Sequence, residues 1–475
     1  MSRPRGPEVP PLRFGTSGWR GVLGEDFTYP RLRRVLHAVA RWIREGQGGR
    51  RVVVAWDTRF QSAPMAEIAE AILRARGLDP LVARGPLPTP VAAHAVTRRR
   101  AAAGLVLTAS HNPPEYHGLK VIGPWGGAIR APDARRIEAL AQEALADPEP
   151  QLSAPRAGRA PRLDLVAPYA RELLGRLDRE ALRRSRLRVF YDAMHGVGAA
   201  VLPEILRRVG LRVELRRGEP DPRFGGAPPD PLPAHLRRLA RELRGGRGLR
   251  LGLATDGDAD RFGALDADGR MLSETEALAL LVDHLARSGR LRRGVAISIA
   301  TGSLVERVAA EHGLRVSRHP IGFKHLSGAL VSGEAEAAGE ESGGFAWAPL
   351  GCDKDGILAG CLLAEIAAAT GEPLRARLAA LERRFGRLAC GRRAHPATPA
   401  LRERLEKLLL DPPSRVDGRP VRTLSPEDGL RFGLDDGFLM LRASGTEPVL
   451  RIYAEAPGRR ALRQRLAAGS DLLGL

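Results

Sequence analysis

The sequence predicts an α/β fold made of three similar α/β domains, followed by a smaller C-terminal α+β domain. Two observations predict it: a strand–helix–strand pattern that occurs three times, and a different pattern in the last part of the chain. The composition fits a globular protein, because 43% of the 475 residues are hydrophobic and 27% are charged. A chain of this length commonly forms about three or four domains.

The repeated pattern lies at residues 50–78, 186–211 and 292–314. Each copy has a short apolar run, a polar turn, an amphipathic segment and then Gly-Leu. The apolar run is typical of a buried strand, and a glycine after a helix commonly ends it. Another strand-like run follows the Gly-Leu, most clearly at 211–215. Each copy therefore predicts the strand–helix–strand unit of one α/β domain.

The predicted domain boundaries come from the segments around these repeats. Residues 147–162 are rich in Pro, Ala and Arg, which is typical of a linker. The last part of the chain has one predicted helix near 398–410 and short predicted strands near 438–442 and 448–455. The predicted domains are 1–150, 160–268, 269–386 and 387–475.

The charge is strongly basic, with 75 Lys and Arg against 55 Asp and Glu, a net charge of +20. Such a surplus suits nucleic acid, a membrane surface or a small anionic substrate. The basic residues are scattered and only 4% of residues are aromatic, so we expect no nucleic-acid partner. Nearly all of them are Arg; of the few lysines, three lie beside Gly-rich or polar segments, namely Lys120, Lys324 and Lys354. An ammonium can lose its proton where a guanidinium cannot, which suggests a functional reason for keeping them.

Cysteine usage and apolar segments predict a cytoplasmic protein. Three cysteines, an odd number without a CxxC motif, indicate reduced thiols. The first fourteen residues contain no apolar stretch typical of a signal peptide. The apolar run at 356–364 ends at Glu365, well short of a membrane span, so we expect no membrane partner.

A polar loop with a candidate nucleophile follows the strand-like run at 101–107. Residues 108–114 carry Ser110 beside His111, and Lys120 lies ten residues further along the chain. Ligands of α/β sheets bind at the carboxyl ends of strands, and a serine hydroxyl becomes a nucleophile when a base is near. Taken alone, the loop could equally be an ordinary surface turn.

Three carboxylates alternate in the loop after a later apolar run. Alternate residues of an extended loop project to one side, so Asp256, Asp258 and Asp260 can converge on one hard cation such as Mg²⁺. An EF-hand begins similarly but needs Gly and Glu where this chain has Arg261 and Ala267. The alternative is a solvated acidic turn, although three close carboxylates repel one another without a cation.

Two further loops combine glycine with polar side chains. Residues 339–344 offer Glu340 and Ser342 between glycines, a surface suited to sugar hydroxyls. Residues 442–448 offer donors suited to a phosphate, namely Arg442, Ser444, Gly445 and Thr446. In isolation, either loop could be a simple turn.

These four segments, with residues 14–21, stand in the order of a known family. Over residues 14–451 the chain resembles the α-D-phosphohexomutase superfamily, which includes phosphoglucomutases, phosphomannomutases and phosphoglucosamine mutases. The resemblance implies three related α/β domains with mixed sheets and a smaller fourth domain, each giving one loop to a central cleft. It also implies phosphoryl transfer between O1 and O6 of a hexose through a phosphoserine and a hexose 1,6-bisphosphate intermediate or activator.

The resemblance further implies a role for each candidate residue. Ser110 would carry the phosphoryl group, one oxygen of which would bind Mg²⁺ together with Asp256, Asp258 and Asp260. Two guanidinium groups would neutralise the transferring group, those of Arg20 and Arg261. Two side chains would handle the proton of the attacking hydroxyl, those of Lys120 and His111. Glu340 and Ser342 would bind sugar hydroxyls, and the residues at 442–446 would hold the phosphate that is not reacting.

The identity of the hexose is less constrained. Some relatives have His where this chain has Gly344, and Lys324 is our candidate to replace its phosphate contact. The pair Glu340 and Glu341 looks more like phosphoglucomutases than phosphoglucosamine mutases, so we expect glucose or mannose phosphates as substrates of a monomer or homodimer. The alternatives are a phosphoglucosamine mutase, a Mg²⁺-dependent sugar phosphatase using the same loops, and a basic non-catalytic binding protein.

Overall fold

The computed structural model describes residues 12–15, 18–143, 159–445 and 448–475. Its first sheet has six strands in the order β1-β5-β4-β2-β3-β6. The elements of this region, in chain order, are β1 (Trp19–Val22), α1 (Tyr29–Gly46), β2 (Arg51–Trp56), α2 (Ser62–Ala75), β3 (Asp79–Ala83), α3 (Thr89–Arg98), β4 (Ala103–Leu107), β5 (Tyr116–Ile122), α4 (Ala131–Glu143) and β6 (Arg162–Leu163). The last of these strands pairs with β3, so the chain completes the first sheet after residue 160.

The second sheet has four strands in the order β10-β9-β7-β8. The elements of this region are α5 (Val166–Leu174), α6 (Arg179–Arg184), β7 (Arg188–Asp192), α7 (Leu202–Arg208), β8 (Arg212–Arg216), α8 (Arg237–Arg244), β9 (Arg250–Thr255) and β10 (Phe262–Leu265). Asp178 begins α6, because its carboxylate accepts hydrogen bonds from the first free N–H groups of that helix.

The third sheet repeats this arrangement in the order β12-β11-β13-β14. The elements are α9 (Glu274–Arg287), β11 (Gly294–Ser298), α10 (Leu304–Glu311), β12 (Arg315–His319), α11 (Phe323–Ser332), β13 (Ala337–Glu340), β14 (Gly344–Trp347), α12 (Gly356–Thr370) and α13 (Leu374–Phe385). A capping box of Ser273 and Glu276 begins α9. Nearly every residue of α12 is buried, as expected for a helix that is apolar on all sides.

The last region is an antiparallel sheet of five strands in the order β15-β21-β20-β19-β18, with a separate two-stranded pair. Its elements are β15 (Ala389–Pro396), α14 (Pro399–Leu410), β16 (Arg415–Val416), β17 (Arg419–Pro420), β18 (Thr423–Ser425), β19 (Leu430–Leu434), β20 (Gly437–Ala443), β21 (Val449–Ala456) and α15 (Gly458–Leu473). The predicted helix and both predicted strands of this region are present.

The three α/β sheets share one mixed four-stranded unit, which confirms the predicted fold class. In each unit, the two strands of the predicted repeat pair in parallel, a third strand joins in parallel, and a fourth is antiparallel. The loops between the third and fourth strands are therefore equivalent. They hold the serine, aspartate and glutamate motifs of the sequence, so the repeat itself places the three motifs at corresponding sheet edges.

The hydrophobic core divides the molecule differently from the sheets. One continuous core extends through the three α/β domains. The C-terminal domain has its own core and joins the third domain through a small apolar cluster that includes Ile299 and Tyr453. Among the described residues no single helix could span a membrane; α12 and α13 meet the length and composition criteria only as a pair bent by 84°.

Candidate active site

Ser110 lies in the loop between β4 and β5, and its hydroxyl reaches the second domain. Its Oγ donates to Asp256 Oδ2 over 2.6 Å and lies 3.3 Å from His111 Nδ1. The φ angle of Ser110 is 54°, a left-handed conformation that is uncommon outside glycine. Its N–H donates to Thr108 Oγ1 over 2.9 Å. The candidate nucleophile is therefore held in a strained turn, in contact with the first carboxylate of the aspartate loop.

A buried arginine that the sequence analysis missed supports this turn. The Arg59 guanidinium donates, over 2.6–3.0 Å, to the main-chain carbonyls of Ser110, Asn112, Pro113 and Tyr116. Its charge is balanced by Asp57, whose Oδ2 lies 3.3 Å from Arg59 Nε. The only sequence signal was a pair of opposite charges directly after the buried strand β2, because its partners lie more than fifty residues away.

The three aspartates form a compact carboxylate cluster. One oxygen from each lies within 4.8 Å of the others, and all three side chains are buried. Asp256 Oδ1 accepts from the N–H of Arg261 over 2.9 Å. Asp258 Oδ1 and Asp260 Oδ1 have no hydrogen-bond partner within the described part of the chain. Buried carboxylate oxygens without a partner are costly, which indicates that a ligand outside the chain completes the cluster.

These residues fit a hard divalent cation. The donor atoms are carboxylate oxygens, which Mg²⁺ prefers, and the two unpartnered oxygens leave positions for it. The Ser110 hydroxyl borders the same cluster through Asp256. Burial and the neighbouring carboxylates of Asp260 and Asp258 raise the pKa of Asp256 well above its ordinary value, so added positive charge would stabilise the ionised cluster.

Two ammonium groups contact the cluster through Oδ2 atoms, not through the unpartnered Oδ1 atoms. Lys120 Nζ donates to Asp258 Oδ2 and Asp260 Oδ2, both over 2.5 Å, and Lys354 Nζ lies 3.2 Å from Asp260 Oδ2. Burial opposes the charged form of Lys120, but Asp258 and Asp260 outweigh it and raise its pKa. With Lys324, these lysines line one small cavity beside Asp260, so the three lysines singled out in the sequence come together.

The two predicted guanidinium groups also lie at the cluster. Arg20 Nη1 donates to Asn112 Oδ1 over 2.5 Å, and burial lowers the pKa of Arg20 although Asp258 and Asp260 favour its charge. Burial likewise opposes the charge of Arg261, yet neighbouring carboxylates raise its pKa. Burial and both guanidinium groups lower the pKa of His111 well below its usual value, so its imidazole is neutral.

The glutamate loop between β13 and β14 lies beside Lys354, which lines this cavity. Glu340 is buried and its Oε1 accepts from Ser342 Oγ over 2.6 Å, whereas Glu341 accepts from Ser298 Oγ. A Cβ on Gly344 would lie 2.6 Å from Lys354 Cδ and 3.0 Å from Glu340 Oε1. The Lys354 side chain therefore occupies the space beside Gly344, and the scarcity of lysine was its signal in the sequence. The phosphate contact predicted for Lys324 stays a prediction.

The loop of the C-terminal domain forms a second group of candidate residues, separate from the first three loops in sequence and sheet. Arg442 is 9% exposed and Ser444 7% exposed, and Gly445 is exposed. Thr446, which is predicted to hold the non-reacting phosphate together with these residues, lies outside the described residues. Burial and the Glu341 carboxylate raise the pKa of Tyr453 to about 12, and the Arg442 guanidinium opposes this rise. Because Tyr453 lies near charges of both Glu341 and Arg442, this domain faces the glutamate loop.

Comparison with known proteins agrees with this geometry. The family models of phosphoglucomutase/phosphomannomutase match in order: alpha/beta/alpha domain I at residues 11–147, domain II at 167–269, domain III at 274–385 and the C-terminal domain at 376–469. A phosphoglucomutase/phosphomannomutase from Thermococcus kodakarensis is 30% identical over 97% of this chain and 98% of its own length. A phosphoglucosamine mutase from Cereibacter sphaeroides is 30% identical over 95% of this chain and 96% of its own length.

A solved structure extends the agreement to the whole fold. A protein from Thermus thermophilus, provisionally assigned as a phosphomannomutase, is 32% identical, and the alignment covers 98% of this chain and 100% of that one with a TM-score of 0.86. Since the matches run from the first domain to the last, the chain belongs to the phosphoglucomutase/phosphomannomutase family and is a mutase, an intramolecular phosphotransferase.

Proposed function

We propose that the protein interconverts hexose 1-phosphates and hexose 6-phosphates through a phosphoserine at Ser110 and a hexose 1,6-bisphosphate. The observation that carries the proposal is the 2.6 Å contact between Ser110 Oγ and Asp256 Oδ2, which joins the nucleophile of one domain to the carboxylate cluster of another. Phosphoryl transfer depends mainly on positioning and charge neutralisation. This junction supports the positioning, and the lysine and arginine side chains at the cluster support the charge neutralisation.

In the first step, a substrate hydroxyl oxygen forms a bond to phosphorus while the bond from phosphorus to Ser110 Oγ breaks. Lys120 and His111 handle the protons: the neutral imidazole of His111 accepts the proton of that hydroxyl, and the Lys120 ammonium donates a proton to Ser110 Oγ. Arg20 and Arg261 neutralise the oxygens of the transferring group. The bisphosphate then reverses its orientation in the site, and the reverse step returns its other phosphoryl group to Ser110.

The cation and the distal groups complete the proposal. Asp256, Asp258 and Asp260 would hold Mg²⁺, which supplies positive charge to the phosphoryl oxygens when bound. Glu340 and Ser342 would bind sugar hydroxyls, and Lys324 and Lys354, which line the cavity beside Asp260, would provide positive charge for a phosphate. Arg442, Ser444, Gly445 and Thr446 would hold the phosphate that is not reacting, so that either end of the bisphosphate can occupy that site.

The preferred sugars in this proposal are glucose and mannose. The paired carboxyl groups of Glu340 and Glu341 support it, because the loop is more typical of phosphoglucomutases. The second candidate is a phosphoglucosamine mutase, favoured by the relative of that name with 30% identity. A Mg²⁺-dependent sugar phosphatase remains the alternative of another class.

The test compares the 1-phosphates of glucose, mannose and glucosamine side by side with purified protein, Mg²⁺ and a trace of the matching bisphosphate. We expect 6-phosphate products without free phosphate, fastest with glucose or mannose. A fastest rate with glucosamine 1-phosphate would select the second candidate. Release of inorganic phosphate without isomerised product would contradict mutase activity.

A further inference from the structure

One carboxylate joins the C-terminal domain loop to the third domain. Asp428 Oδ1 accepts from Arg442 Nε over 2.9 Å, and its Oδ2 accepts from the main-chain N–H of Ile321 over 2.7 Å. The side chains of Arg442 and Asp428 are 10% and 20% exposed. The two oxygens of a single carboxylate therefore hold segments from two different domains.

Both segments lead to cations assigned above to substrate binding. Ile321 stands three residues before Lys324, in the turn that opens α11, and Lys324 lines the cavity beside Asp260. On the other side, Gly429 has φ of +101°, and a Cβ there would lie 2.4 Å from the carbonyl oxygen of Leu441. The turn that carries Asp428 is thus packed directly on the strand that carries Arg442.

Resting on the phosphate-binding role proposed for Arg442, we propose that Asp428 is a positioning residue that orients the Arg442 guanidinium and ties its loop to the Lys324 segment. A carboxylate bound to Nε fixes the plane of a guanidinium and leaves both terminal amino groups outside that bond. A fixed plane is what two parallel hydrogen bonds to one phosphate require. Asp428 therefore acts on the substrate through Arg442.

Other contacts between these two domains provide a matched control. Arg431 Nε donates to the carbonyl oxygen of Ile299 over 3.1 Å, and the Glu455 carboxylate accepts from the N–H and hydroxyl of Ser303 over 2.8 and 2.7 Å. Arg431→Gln removes one interdomain hydrogen bond without altering Asp428 or Arg442. This variant therefore distinguishes an effect of weaker contact between the two domains from an effect of a misplaced Arg442 guanidinium.

The experiment measures binding of glucose 6-phosphate by titration calorimetry to the unaltered protein, Asp428→Ala, Asp428→Asn and Arg431→Gln. We expect the dissociation constant to rise about tenfold in Asp428→Ala, since a charge-assisted bond is lost, and less in Asp428→Asn, which keeps one acceptor. Arg431→Gln should change it less than about threefold. In an Arg442→Gln background, Asp428→Ala should add little further loss, because its effect passes through Arg442.

Several outcomes would overturn the inference. Unchanged affinity in Asp428→Ala, an equal loss in Arg431→Gln, or a full additional loss in the Arg442→Gln background would each remove the positioning role. A protein that does not bind glucose 6-phosphate would remove it as well. Turnover is measured separately: binding that depends on Asp428 without isomerised product would contradict the mutase proposal and leave this inference standing.

Discussion

Replacing His117 with Gln should make the first domain less sensitive to acid. His117 is 1% exposed, and its Nδ1 accepts from the N–H of Gly118 over 2.8 Å. Its ring proton therefore lies on Nε2, 3.0 Å from Ser62 Oγ, which donates over 2.8 Å to Asp57 Oδ1, the carboxylate that balances Arg59. A second ring proton on Nδ1 would face the N–H of Gly118, with only the Gly118 carbonyl oxygen 3.3 Å away as an acceptor. It would also add a buried positive charge beside that of Arg59.

The magnitude follows from the pKa of His117, which burial and then Arg59 lower from 6.5 to about 3. Because the folded pKa lies below the unfolded one, the stabilising contribution is complete above pH 6.5 and is lost as the pH falls toward 3. At about 1.4 kcal/mol per pKa unit, the loss is about 2 kcal/mol at pH 5 and approaches about 5 kcal/mol below pH 3.

The assay is guanidinium unfolding followed by tryptophan fluorescence at pH 7.5 and at pH 5. Four of the five tryptophans, Trp19, Trp42, Trp56 and Trp125, lie in the first domain, so the signal reports mainly on it. Between the two pH values, the unaltered protein should lose about 2 kcal/mol more unfolding free energy than His117→Gln. Other groups titrate in both proteins and cancel in the difference. Equal losses in the two proteins would refute the reasoning.

Three further predictions concern the site. Arg59→Lys should lower kcat by about tenfold or more with little change in KM, because an ammonium cannot reach four carbonyls; unchanged kcat in steady-state assays would contradict the support role. Asp258→Asn should raise the Mg²⁺ concentration for half-maximal activity by about tenfold, and an unshifted Mg²⁺ titration would exclude Asp258 as a ligand. Gly344→Ala should displace Lys354, lowering stability by about 1–3 kcal/mol and raising KM; a melting temperature and KM equal to those of the unaltered protein would show that the space is open.

The fold could be predicted largely because its signals are local. Each repeat shows a buried strand, a helix and a closing glycine within about thirty residues, and the structure pairs those strands in parallel in all three domains. Sequence could not show that Arg162–Leu163 completes the first sheet, because pairing of a two-residue strand is decided by what lies beside it in space.

Candidate site residues could be recognised in the sequence only where one short loop contains the polar groups that would act together. Ser110 and the alternating aspartates are recognisable by residue type and spacing, and their contact follows from the shared position of their loops in the repeat. Arg59 and Asp428 carry no such pattern, since each acts on residues brought near it by other elements. Lys354 is an intermediate case. The scarcity of lysine in the sequence singled it out, but only the packing shows that its side chain occupies the space beside Gly344.

The most direct test of the account is the mass of the purified protein and of its peptides. We predict a fraction about 80 Da heavier than the sequence, with the added phosphoryl group on Ser110, lost on incubation with excess hexose 1-phosphate or 6-phosphate. The Ser110→Ala protein should lack that fraction and should not turn over, while keeping its circular dichroism spectrum. Full turnover by Ser110→Ala, or a phosphoryl group carried only by another residue, would contradict the account.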